Sequence, residues 1–381
     1  MSKKMTGSTL HHREMRDGVV DGLKPLHTLD LDSVGDLDEL LAGMSQTAFG
    51  GRNLGEAAEV LQEMIADPEC TVVLTLSGAM TVAKMNLVIV EMLERGWVQG
   101  IVSTGALMTH GLVELAGMQH FKASKKMDDT ELFEKGYNRV YDTYELEKNL
   151  NDLSDLLREV FVRMPTNRRW GSRELLHAIG EYLAPSGKRG IMSTCYRLGV
   201  PVYVPAFSDS ELALDLAVAM LDQRLGADPD LEVEDALLNF GSSFDSFLDL
   251  GHFSRLVSDS PKMGIVTIGG GVPRNWAQQA PPFIDIVNTQ LERSLPLTRY
   301  CYGVRICPEP AHWGGLSGCS YSEGVSWGKF LPVDEGGRYA EVFSDATIAW
   351  PILVKAVAQR MDKNGLEAQA PVLNLPGVGP R

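Results

Sequence analysis

The chain has 381 residues, 44% hydrophobic and 22% charged, which is enough for a sizeable buried core in one large α/β domain or in two to three average ones. No apolar run is long enough to span a bilayer, and 35 Lys and Arg against 50 Asp and Glu give a formal charge of −15 that repels nucleic acid. Five cysteines without CxxC spacing suggest neither a disulfide framework nor a zinc knuckle, and residues 1–25 lack an apolar signal core, so a cytoplasmic location is expected.

In chain order, apolar strand-like runs alternate with amphipathic helical stretches, the pattern of a mostly parallel sheet covered by helices on both faces. Residues 70–76 (CTVVLTL) read as a buried strand, 82–95 as a helix and 98–104 as the next strand, followed by a helix at 107–116. A charged stretch at 122–155 suggests a surface insertion. Helices are expected at 174–183 and 211–221, and strands at 200–204, 262–268, 299–306 and 339–343. A last helix spans 346–361, where Pro351 is expected to kink or restart it. Residues 1–45 read as an arm, 46–361 as a single domain and 362–381, rich in Gly and Pro, as a tail.

In such sheets ligands sit beyond the carboxyl ends of the strands. Ser77-Gly78-Ala79-Met80-Thr81 and Ser103-Thr104-Gly105-Ala106 each follow a strand and are expected to open a helix, offering backbone N–H groups and a positive helix end to a phosphate. Gly269-Gly270-Gly271 follows a third strand, where missing side chains let a ligand approach the backbone. None is a GxGxxG fingerprint, and an ordinary strand-to-helix turn competes at each. Asp209 and Asp345 read either as helix caps or as ligand contacts. Glu211 and Asp215, four apart on one helix face, read as an ammonium site or as a solvated face. His110 follows a ligand turn, and without HExxH or similar spacing no metal is expected.

The most informative segment is Glu323-Gly324-Val325-Ser326-Trp327-Gly328-Lys329, preceded by a glycine-rich run beginning at Gly314. A lysine among small residues beside one Trp suits imine chemistry, which needs the neutral amine and therefore a pKa lowered by desolvation. A surface lysine after a loop Trp is the competing reading. The net acidity fits a cationic ligand such as a polyamine or a basic protein patch, although acidity for solubility alone fits it too.

The order of these motifs from Thr104 to Asp345-Ala346 resembles the deoxyhypusine synthase family over residues 70–361, with the Ser326-to-Lys329 run the specific element. The resemblance implies a Rossmann-like homotetramer with active sites at a dimer interface and NAD as cofactor. It implies that a polyamine, spermidine or putrescine, yields an aminobutyl group to Lys329 as an imine and then to an amine acceptor. By the same resemblance Trp327 lies along the aliphatic chain, Glu323 touches NAD or polyamine, and Ser77 to Thr81, Thr104 to Ala106, Asp209, Gly314, Asp345 and Ala346 contact NAD. Three departures stand out: Thr109-His110 replaces a glutamate pair, Arg274-Asn275-Trp276 replaces a Lys-His-His run, and Leu316 replaces an aspartate. Lost carboxylates weaken a cation site unless replaced. His110 is the candidate to take over acid–base work, with Asn275 lining the substrate site. The departures favour putrescine as acceptor, giving homospermidine. A protein lysine of a translation factor is the alternative, and a non-catalytic NAD or polyamine binder a second one.

Overall fold

The computed structural model describes residues 16–124, 127–240, 243–314 and 319–371. Six strands form one all-parallel sheet: β1 (Cys70–Leu76), β2 (Gly100–Ser103), β6 (Val202–Tyr203), β7 (Lys262–Ile268), β8 (Tyr300–Ile306) and β9 (Arg338–Val342), in the order β6-β2-β1-β7-β8-β9. Helices cover both faces, as the alternating pattern predicts. All seven residues of β1 are buried, the mark of a strand enclosed on two sides.

The alternation along β1 divides the core. Val72, Leu74 and Leu76 face one cluster, which includes Leu61 and Met64 of helix Phe49–Ala66 and Trp350 and Val357 of helix Ala346–Asn364. Val73 faces the other, with Phe253 and Leu256 of helix Ser246–Asp259 and Ala277 of helix Gly271–Gln278. Burying one such side chain contributes roughly 1.5–3 kcal/mol. The chain leaves the centre of the sheet in opposite directions from β1 and β7, so these two adjacent strands flank the topological switch point. Thr75 Oγ1 and Thr267 Oγ1, 2.9 Å apart, tie them together.

Several boundaries differ from expectation. The helix expected at 82–95 begins only at Asn86, because residues 78–84 form a turn with Gly78 and Lys84 both at positive φ. The last helix runs unbroken through Pro351 from Ala346 to Asn364. The charged stretch is not merely a surface insertion. It contains an antiparallel sheet, β3 (Phe121–Lys122), β4 (Tyr137–Val140) and β5 (Thr143–Leu146), then helix Glu147–Phe161, whose Leu153 and Leu157 are fully buried. Within the span read as an arm, helix Leu37–Ser45 buries Leu41 against the core. Beyond the last helix, Gln369 donates its N–H to Ile65 O at 3.1 Å. Among the described residues no helix is long and apolar enough to cross a membrane.

Candidate active site

The Ser-Trp-Gly-Lys run is a helix ending. Helix Tyr321–Ser326 is capped at its start by Ser320, whose Oγ accepts the Glu323 N–H at 3.2 Å. At its end Gly328 has φ +69, its N–H donates to Val325 O, and the Lys329 N–H reaches back to Gly324 O at 3.1 Å. This is a Schellman motif, with glycine at the left-handed position. Lys329 then crosses to the main sheet: its carbonyl accepts the Tyr300 N–H at 3.0 Å, and the Leu331 N–H donates to Tyr300 O. A rigid helix end and the first residue of β8 therefore hold the lysine backbone from both sides.

The Lys329 side chain is turned inward and the residue is only 6% exposed. Its Nζ donates to Asn275 Oδ1 at 3.2 Å, on the helix that follows β7. Burial lowers the amine pKa; nearby Cys319 and Glu323 oppose this and the Arg274 guanidinium reinforces it, leaving the pKa below its ordinary value. The indole of Trp327 lies 5.9 Å from Nζ, but Trp327 is 65% exposed, so the desolvation expected from it comes instead from the surrounding protein. Glu323 is exposed on the same short helix.

Arg274 and Arg305, both almost wholly buried, link the surroundings of Lys329 to the switch point. Arg274 lies over the Tyr321 ring, and Arg305 donates to Gly269 O at 3.4 Å and pairs with Glu341 at 3.2 Å. At the switch point Ser77 Oγ accepts the Gly270 N–H at 2.9 Å and donates to Ile268 O at 3.2 Å. Gly269 has φ +82, and a Cβ there would stand 2.3 Å from Ser77 Oγ. Gly271, which opens the next helix at φ +62, would meet nothing within 4 Å, so the backbone there is open to a ligand. A bare glycine turn leading into a helix N-terminus at the switch point fits a dinucleotide.

Other expected contacts fall differently. Ser77 to Thr81 does not open a helix: Gly78 and Ala79 are exposed, Met80 is half-buried, and buried Thr81 donates Oγ1 to Leu107 O at 2.8 Å. Thr104 caps helix Gly105–Leu115, with Ala106 half-buried in its first turn, and Gly105 lies against Ser210, whose Oγ would be 2.3 Å from an added Cβ. The cap of helix Glu211–Ala227 is Ser210 and not Asp209, which is exposed. Asp345 is an N-cap, its Oδ1 accepting from Thr347 N and Oγ1 at 2.7 Å each, and Ala346 behind it is buried. Gly314 ends a short 3-10 turn at φ +69, while Leu316 lies outside the described residues.

His110 is paired with Glu145 and not with Lys329: its Nδ1 lies 2.6 Å from Glu145 Oε2, and His120 Nε2 lies 3.3 Å from Oε1. Burial alone would lower the His110 pKa, but contact with Glu145 and the charge of Glu211 raise it overall. Burial would likewise raise that of Glu145, but the two imidazoles hold it down to about 2. Asp215, near Glu211, is pushed up by its own burial. The structure thus gathers Lys329, Asn275 and Glu323 near the switch point, and His110, Glu211 and Asp215 into a second group. The sequence pattern carries no mark of Glu145, His120 or the charge of Arg274 as site residues. Arg305 alone gave a signal, as a charge inside an apolar strand.

The deoxyhypusine synthase family model matches residues 39–357. A Methanosarcina acetivorans protein named probable deoxyhypusine synthase 2 is 33% identical over 341 residues, 88% of this chain and 90% of that one. A deoxyhypusine synthase-like protein of Chlorobaculum parvum is 34% identical over 313 residues, 81% of this chain and 83% of that one. A crystal structure of an Entamoeba histolytica protein assigned to deoxyhypusine synthase aligns with a TM-score of 0.53 at 13% identity, covering 88% of this chain and 96% of that one, a likeness of fold alone.

Proposed function

The chain belongs to the deoxyhypusine synthase family, and from that premise we propose that it is an NAD-dependent transferase moving a 4-aminobutyl group from spermidine or putrescine, by way of Lys329, to an amine acceptor. The observation that carries this reading is Lys329 itself: buried, hydrogen-bonded to Asn275 and lowered in pKa. A neutral amine there can attack the donor carbon once that carbon has been oxidised to the imine level. The C–N bond to Lys329 forms, the bond to the departing amine breaks, and the butyl chain is held as an imine on Nζ. The acceptor amine then adds to the same carbon and displaces Lys329.

NAD, when bound, supplies acceptance of a hydride from the donor and its return to the product. The bare Gly269-Gly270-Gly271 turn and Ser77 would hold it at the switch point, with Thr104, Gly105, Ala106, Asp209, Gly314, Asp345 and Ala346 as further candidate contacts. Asn275 orients the lysine amine through its carbonyl oxygen, and the exposed indole of Trp327 offers a face for an aliphatic chain. Glu323, exposed beside them, offers a carboxylate to an ammonium end. Homotetramer formation with sites shared across a dimer interface is part of the same reading.

The departures from the family pattern at Thr109-His110 and Arg274-Asn275-Trp276 support a small diamine as acceptor, giving homospermidine. The second reading, a protein lysine as acceptor, is favoured by the names of the archaeal relatives. Incubation with NAD, spermidine, putrescine and an added protein acceptor, followed by mass spectrometry of the small amines and of the protein, separates the two. Homospermidine formed by the wild type and not by Lys329→Arg supports the first, whereas aminobutylation of an added protein acceptor without homospermidine supports the second. Neither product would leave a binding protein.

A further inference from the structure

His110, His120 and Glu145 each offer one potential ligand atom, and these atoms all lie within 4.8 Å of one another. We infer that they form a site for a divalent first-row transition ion of the zinc type, which clips the small β3-β5-β4 sheet to the main domain. The three groups come from three places. His110 is on the helix after β2, His120 lies just before β3, and Glu145 is on β5. No spacing motif links them, and a single ion would join all three elements.

The cluster is built as a site. Glu145 is 1% exposed, and the side chains of His120 and His110 are 0% and 14% exposed. Despite their proximity, His110 Nδ1, His120 Nε2 and Glu145 Oε1 are buried atoms that make no properly directed hydrogen bond. The polar atoms converge off the axes that an N–H···O bond needs, and a cation between them would satisfy all three at once. Two imidazoles and one carboxylate are donors that zinc accepts, and tetrahedral ligands at bonds of about 2.0–2.1 Å stand about 3.4 Å apart, within the spread seen here. Three protein ligands leave a fourth position open.

One contact competes with the ion. Lys84 Nζ lies 2.8 Å from His120 Nδ1 and also pairs with Glu114, which Asn86 contacts as well. An ammonium donating to Nδ1 leaves the proton of a neutral His120 on Nε2, whereas ligation through Nε2 requires that proton to move to Nδ1 or leave. Lys84 is 44% exposed at its side chain, so it can turn to Glu114 alone. Removing it should therefore tighten the site.

The test is titration of the purified full chain with Co2+, read by visible ligand-field absorption and by metal analysis, with Zn2+ as competitor. The expected result is one equivalent of Co2+ displaced by Zn2+, a rise in thermal midpoint with Zn2+, and at least tenfold weaker binding in Glu145→Gln and in His120→Ala. Lys84→Met should bind at least as tightly as the wild type, and this variant decides the matter if the ligand variants fail to fold. No uptake by the wild type would overturn the proposal, as would equal uptake in folded Glu145→Gln or weaker uptake in Lys84→Met.

Discussion

The amine of Lys329 lies 3.2 Å from Asn275 Oδ1, and this bond joins the helix end that presents the lysine to the helix that leaves the switch point. A neutral amide is a telling partner: it orients the amine without the negative charge that would keep it protonated. Asn275→Asp would place a carboxylate at that distance and raise the lysine pKa back toward its ordinary value. Imine formation at neutral pH should then fall roughly tenfold or more, with the acidic, rising limb of the pH–rate profile displaced to higher pH. An unmoved profile would show that Asn275 does not set the state of the amine.

The lowered pKa also has a sign for stability. The unfolded chain binds the lysine proton more readily than the folded chain, so stability is full above the ordinary lysine value and is lost as pH falls through the folded one. At neutral pH the buried amine is therefore a net cost. Lys329→Met should abolish aminobutyl transfer yet stabilise the fold by about 1 kcal/mol, measured by urea denaturation. A destabilised variant would mean that the amine is held by more than the Asn275 bond.

Gly328 ends the helix in the left-handed conformation. Gly328→Ala should cost about 1 kcal/mol from backbone strain and should lower turnover beyond that, because the Schellman bonds fix the lysine backbone. Denaturation and steady-state rates, taken on the same preparation, separate the two effects.

At the switch point Gly269→Ala meets both a strained φ and Ser77 Oγ at 2.3 Å. NAD binding followed by calorimetry should drop sharply, and Ser77→Gly in the same chain should restore it only in part because the φ remains positive. Undiminished binding to Gly269→Ala would move the dinucleotide away from this turn.

Away from the candidate site, buried Asp249 accepts from Ser172 N at 2.8 Å, Ser172 Oγ at 2.7 Å and Arg173 N at 3.1 Å, closing the start of helix Ser172–Leu183 from another element. Asp249→Ala should cost about 2–3 kcal/mol, read from chemical denaturation, since it orphans buried donors.

The sheet was legible because β1 and β7 are short, largely apolar runs rich in β-branched residues, and both occupy the expected residues, 70–76 and 262–268. Helix starts were less so: nothing in the residue type at Lys84 announces a positive φ, and the onset at Asn86 follows from that turn. The lysine site was legible through one local motif, but the hydrogen bond that holds its amine depends on a partner 54 positions away. The His110–Glu145 pairing was not legible at all. It exists only because a small sheet folds back over the helix after β2, and no periodicity records a contact between two polar residues 35 positions apart.

Lys329 is the residue expected to carry the transferred group. Incubation of the protein with NAD and spermidine, trapping with borohydride and peptide mapping by mass spectrometry tests it most directly, with Lys329→Arg alongside. The expected result is a 4-aminobutyl adduct on Lys329 that depends on NAD and is absent from the variant. No adduct with spermidine or putrescine, or one on another residue that persists in Lys329→Arg, would contradict it.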